Sequence, residues 1–173
     1  MLLTRKRCVN AGRSRSLRDC LWVIHFVGAF LSCLISGLLR TEARLVSHCE
    51  VAWAIRDHTT IKDPWNIKQF VCIADKVSRF NTSFEIQRIN SQRSVGLFQI
   101  PSRFYCRNTP PLVGRAGLCH KLCQAYLDDR IGDDALCASI AYKRTGFRFW
   151  RVWYNECYLN KDINSYIEGC GIG

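Results

Sequence analysis

Between residues 67 and 77 the apolar side chains Ile67, Phe70, Val71, Ala74 and Val77 recur with a period of 3.6 residues. That is the mark of an amphipathic helix, and Asn66 ahead of it has the side chain of a helix cap. A shorter helix is predicted over 49–57. The pattern then changes. Thr82, Phe84, Ile86 and Ile89, followed by turn-prone Asn90-Ser91, predict a small antiparallel sheet over 81–100. Pro101, Pro110, Pro111 and Gly114 mark a loop region. Helical spacing returns over 133–143, stopped near Gly146, and a fourth helix is predicted over 147–156. Helices, a short sheet and then helices make an α+β class with two lobes, and a crevice between lobes is a common place for a ligand.

Residues 1–43 have a different character. Six basic residues between Arg5 and Arg18 precede an apolar run from Leu21 to Leu39, and Thr41-x-Ala43 offers a small-x-small cleavage pattern. The segment is expected to be a signal peptide cut after Ala43, leaving a domain of 44–173. An uncleaved amino-terminal anchor is the alternative, and the chain would meet a membrane only in that case. Either one delivers the rest of the chain to the extracellular side. Of the 11 cysteines, eight lie beyond Ala43: Cys49, Cys72, Cys106, Cys119, Cys123, Cys137, Cys157 and Cys170. An even number behind an export signal reads as four disulfides, although spacing does not choose among the pairings. Cys119-x-x-x-Cys123 is the one close pair that a zinc site could use, and no histidine cluster supports it. Removing residues 1–43 takes away seven of 25 Lys/Arg and two of 14 Asp/Glu, leaving 18 against 12, or +6. Such a charge favours anionic envelopes, glycans or membranes. The basic residues are scattered rather than striped, which excludes a nucleic-acid reader.

Residues 93–106, RSVGLFQIPSRFYC, have the look of a cleft wall: an apolar strand interrupted by Gln99 that opens onto adjacent aromatics. Together with FVCIADKVSRFNTS (70–83), LCHKLCQAYLDD (118–129), CASIAYK (137–143) and FWRVWYNEC (149–157), this stretch resembles the C-type lysozyme and α-lactalbumin family (glycoside hydrolase family 22). The resemblance spans about 48 to 171 and includes all eight cysteines. It implies a monomer with the lysozyme-like α+β fold: a helical lobe, a small antiparallel β lobe and a cleft between them. It also implies the disulfides Cys49–Cys170, Cys72–Cys157, Cys106–Cys123 and Cys119–Cys137.

The lysozyme branch cleaves peptidoglycan with two carboxyl groups, one a protonated glutamic acid and the other an aspartate at the cationic sugar centre. In the acid motif, Val-Cys-x-x-x-x-Glu-Ser-x-Phe-Asn-Thr, the glutamate position here is Val77. In the sheet motif, Asp-Tyr-Gly-x-x-Gln-Ile-Asn, the aspartate position is Ser94, and Pro101 replaces the asparagine. Losing one positioned acid or base costs ~10²–10⁴ in rate, and both are missing. Asp75 lies about 200° round the helix from Val77. Glu85, in the sheet region, is the other acid that could approach. The resemblance places Gln99, Arg103, Phe104, Tyr105, Trp150 and Trp153 at the glycan cleft, with Trp150 and Trp153 readable equally as core.

A second motif is AYLDDRIGDD, 125–134. Asp128, Asp133 and Asp134 follow Cys123 by five, ten and eleven residues. These are the positions of the three carboxylates in α-lactalbumin and the calcium-binding lysozymes. There the carbonyls of Ala125 and Arg130 would complete a structural Ca²⁺ site, weakened by the charge of Arg130. The alternative is that Asp133 and Asp134 only complement a helix dipole. Asn81-Thr82-Ser83 is the one glycosylation sequon. The expected protein is therefore a secreted, non-catalytic lysozyme-like binder of glycan, bacterial cell wall or a cell-surface partner, in antibacterial defence or gamete recognition. The alternatives are an active lysozyme with displaced acids, a modifier of a partner enzyme in the manner of α-lactalbumin, and a cationic protein that disrupts envelopes without catalysis.

Overall fold

The computed structural model describes residues 44–89, 92–108 and 117–172; the leader, the Asn90-Ser91 turn and the segment with Pro110, Pro111 and Gly114 lie outside them. Helix α1 is His48–His58, opened by a capping box in which Ser47 Oγ accepts the Glu50 N–H and Glu50 accepts the Ser47 N–H. Helix α2 is Pro64–Ser78. Its cap is Asp63 rather than Asn66: Asp63 Oδ2 accepts the Asn66 N–H at 2.9 Å, and Pro64 supplies the preset first position. The sheet expected over 81–100 has three antiparallel strands in sequence order, β1 Glu85–Gln87, β2 Arg93–Val95 and β3 Ile100–Pro101. Ser94 pairs with Ile86 on one side and Pro101 on the other. Proline, which cannot donate to a ladder, takes the last place in its edge strand.

After a 3₁₀ turn at Cys123–Tyr126, α3 runs Ile131–Thr145 and ends against Gly146, whose φ of +66° suits glycine. The single helix predicted over 147–156 is instead two pieces, a 3₁₀ turn at Gly146–Phe149 and a π-helical turn at Trp153–Tyr158. Trp150 between them is extended (φ −94°, ψ 113°), and this break lets its ring enter the core. A further 3₁₀ turn, Ile163–Ile167, was not foreseen.

Four disulfides bind the fold, and they are the pairs the family resemblance implies: Cys49–Cys170, Cys72–Cys157, Cys106–Cys123 and Cys119–Cys137. Cys119 and Cys123 therefore enter separate bridges and do not form a pair of thiolate ligands. Phe70 of α2 sits at the centre of the core, edge-on to Phe98, Tyr142, Phe147 and Trp150 with centroids 5.0–6.1 Å away. Phe98 comes from the turn between β2 and β3, so this aromatic knot fastens the sheet to the helices.

Candidate functional site

Val77 stands in the last turn of α2, half-buried against the core, and offers methyl groups where the acid motif has a carboxyl. Ser94 lies in the middle of β2 and is buried, with its hydroxyl accepting a 2.7 Å hydrogen bond from Arg88 Nε. Arg88 just follows β1 and is set by its backbone N–H, which donates to Gln92 O at 2.7 Å. A guanidinium thus addresses the position where the motif places an anion. Sequence reasoning missed Arg88. The signal was its place six residues before Ser94, across a hairpin whose register brings the two together. Beside them a groove of about 620 Å³ is lined by Ile86, Gln87, Arg88, Ile89, Gln92 and Arg103.

Neither of the other two acids is free to serve this position. Side chains alternate along a strand, and Glu85 pairs with Val95, on the sheet face opposite Ser94. There it meets Arg93 Nη1 at 3.3 Å, and Arg93 also donates to Asn108. Asp75 accepts the Tyr166 hydroxyl at 2.7 Å and lies 3.3 Å from Lys76 Nζ. Burial, and then this bond to Asp75, raises the Tyr166 hydroxyl well above the usual phenol range.

Of the residues placed at the cleft, Arg103 and Phe104 are exposed, with the guanidinium 5.0 Å above the Phe104 ring. The others are buried or half-buried. Trp150 is buried and its indole N–H donates to Phe98 O at 2.9 Å, so its polar handle is spent inside the core. Tyr105 is buried against Phe149, and burial raises its hydroxyl pKa. Gln99 is also buried, in a left-handed conformation (φ +52°), and donates to Phe84 O and Gly96 O; it holds the turn between β2 and β3 together. Trp153 is half-buried, stacked on Phe147 and bonded to Gln69. Asn81 also belongs to a turn, its side-chain oxygen accepting the Ser83 N–H at 3.0 Å, while Thr82 of the sequon is buried.

Asp133 and Asp134 lie in the first turn of α3 and Asp128 in the loop before it, and among the described residues the three do not gather into one cluster of metal-ligand atoms. Asp134 is buried. Its Oδ1 accepts the Leu97 N–H at 3.2 Å and its Oδ2 has no partner among the described residues. Burial, followed by the nearby Asp133, pushes this carboxyl well above the usual range. The unpartnered Asp134 oxygen is the one feature here that a hard cation such as Ca²⁺ would answer. Competing cations are already present: Lys121 Nζ lies 2.8 Å from Asp133, and Arg130 binds Asp128 through its backbone N–H and its guanidinium. Gly96 also lies close by: a Cβ there would fall 2.1 Å from Tyr126 O and 2.7 Å from Asp134 Oδ1.

The fold and its disulfides define a two-lobed α+β domain of the lysozyme type. Residues 44–170 match the C-type lysozyme/alpha-lactalbumin family. Among curated proteins the chain is 35% identical over 111 residues to lysozyme C of Miopithecus talapoin, Macaca mulatta and Papio anubis, covering 62% of this chain and 72% of each relative. The chain belongs to the C-type lysozyme/alpha-lactalbumin family. No described helix is long and apolar enough to cross a membrane.

Proposed function

We propose that this protein is a secreted, non-catalytic member of the family that holds glycan or bacterial cell-wall polymer in the old cleft. The observation that carries the reading is at Ser94: a neutral hydroxyl with the Arg88 guanidinium bonded to it occupies the place of the aspartate, while Val77 occupies that of the acid. A transition state with positive sugar character gains from an anion at this point and loses from a cation. Val77 has no proton to donate. Glu85 and Asp75, the acids that could have been displaced into service, are engaged with Arg93 and with Tyr166.

Binding needs neither acid. Exposed Phe104 offers a ring for a sugar to stack on, and Arg103 offers hydrogen-bond donors beside it. A structural Ca²⁺ held by Asp128, Asp133 and Asp134 with the carbonyls of Ala125 and Arg130 accompanies this reading. Such an ion would neutralise the buried Asp134 and tie the loop to α3. The test pairs wall lysis with calorimetric titration of chito-oligosaccharide. Calorimetry is preferable to tryptophan fluorescence because Trp150 is sealed in the core. Heat of binding without lysis is the expected outcome; lysis of bacterial walls by the pure protein overturns the proposal.

A further inference from the structure

The groove beside Ser94 carries a charge that a neutral polysaccharide does not call for. Arg88 and Arg103 both line it, and none of its six lining residues is acidic. Neither guanidinium is ion-paired among the described residues: Arg88 donates through Nε to Ser94 Oγ at 2.7 Å, and Arg103 lies over the Phe104 ring. The opposite face of the same sheet is handled differently, since Arg93 there is neutralised by Glu85. Both groove arginines are partly oriented by neutral contacts. The Nε bond occupies one edge of the Arg88 guanidinium and leaves the remaining N–H donors of its fork for a ligand. The Phe104 face restrains Arg103 without consuming any of its donors.

We infer that the groove selects an acidic glycan, one that carries a sulfate or a carboxylate which Arg88 and Arg103 bind, in preference to a neutral one. This rests on the glycan-binding reading above and specifies its ligand. Sulfate and carboxylate both offer a pair of anionic acceptor oxygens that a guanidinium fork can engage. Phe104 would stack on the ring of the same sugar unit or its neighbour, and the exposed position of both arginines makes the preference sensitive to salt.

The experiment is calorimetric titration of the protein with chitotetraose, with chitotetraose 6-O-sulfate and with tetragalacturonate, at low and physiological salt. Arg88→Gln, Arg103→Gln and Arg56→Gln are compared with the unmodified protein. Arg56 lies on α1 and pairs with Asp57, so its variant lowers net charge by the same amount away from the groove. Arg88→Gln leaves the buried Ser94 hydroxyl to find a new partner; Arg103→Gln, at an exposed residue, carries the test if that variant folds poorly. The expected result is roughly tenfold tighter binding of at least one acidic oligosaccharide, the size of one charge-assisted hydrogen bond. That gain falls with salt, is lost in Arg88→Gln and Arg103→Gln, and survives in Arg56→Gln. The two acidic ligands separate sulfate from carboxylate recognition. Equal binding of neutral and acidic ligands overturns the inference while leaving the glycan reading standing. A preference that survives both groove substitutions also overturns it, because net charge alone then accounts for the attraction. Failure of all three saccharides to bind overturns the glycan reading itself.

Discussion

Returning carboxyl groups to positions 77 and 94 measures what Arg88 does to the site. Val77→Glu and Ser94→Asp restore the two groups of the family mechanism, each worth ~10²–10⁴ in rate when well placed. The Ser94 hydroxyl, however, is 2.7 Å from Arg88 Nε, so a carboxylate put there is captured by the guanidinium. Two unit charges ~4 Å apart attract by about 4 kcal/mol at an effective dielectric of ~20. Because Arg88 is exposed, roughly 1–2 kcal/mol of that survives. The guanidinium also repels positive charge developing on the sugar, by about 2 kcal/mol at ~7 Å before the same discount. Together these hold the doubly substituted protein roughly 30–100-fold below one that also carries Arg88→Asn. The assay is loss of turbidity of a bacterial wall suspension, with reducing-end release from chito-oligosaccharide as a second readout and the melting temperature as a control for folding. Equal rates with and without Arg88→Asn would refute the assignment of Arg88 as the group that opposes hydrolysis.

Three other outcomes follow from the geometry. Excess Ca²⁺ should raise the melting temperature and EGTA should reverse the rise, with Lys121→Ala tightening the ion several-fold by releasing Asp133; a melting temperature that ignores both reagents removes the site. Gly96→Ala puts a Cβ 2.1 Å from Tyr126 O at a φ of +73° and should cost more than about 3 kcal/mol, a fall of roughly 10 °C or more. Unchanged melting in that variant would contradict the close approach. Glu50 is held below the usual carboxylate range, first by the Ser47 N–H and then by Arg44. Its contribution is therefore complete above the unfolded pKa of about 4.3 and is lost as pH falls through the lower folded value. Glu50→Gln should flatten thermal stability against pH on the acid side, and calorimetry from pH 2 to 6 reads this directly.

The elements with a strong repeating pattern were legible from residues alone. Helix α2 announced itself through Phe70, Val71, Ala74 and Val77, all turned toward the core or its edge. Its start was misplaced because periodicity begins only at Ile67, whereas the stronger punctuation, Asp63 before Pro64, lies a turn earlier. The helix predicted over 147–156 failed for a tertiary reason: burying Trp150 and bonding it to Phe98 O demands an extended residue in mid-run, which no local pattern encodes. The disulfide pairs came from resemblance, since spacing leaves them open. Val77 and Ser94 were readable, through the motif resemblance, at the positions of the two family acids. Arg88 was not, because its meaning depends on strand register: the hairpin carries it back to Ser94 while the same alternation turns Glu85 to the far face. Tyr105 and Gln99 are residues of cleft-like type whose engagement in packing and in a turn no local pattern encodes.

The crowding at Gly96 constrains more than one residue. There the backbone after β2 passes so near the Tyr126 carbonyl and the Asp134 side chain that no methyl group fits between them. The two lobes meet at this point like a tongue in a groove, with Asp134 also taking the Leu97 N–H. Shortening Asp134 would strand that amide and still leave the Tyr126 carbonyl 2.1 Å from any Cβ at 96, and enlarging residue 96 would force the carboxylate out of its seat. Neither position is independently variable. A redesign of the 125–134 segment is therefore also a redesign of the turn that leaves β2.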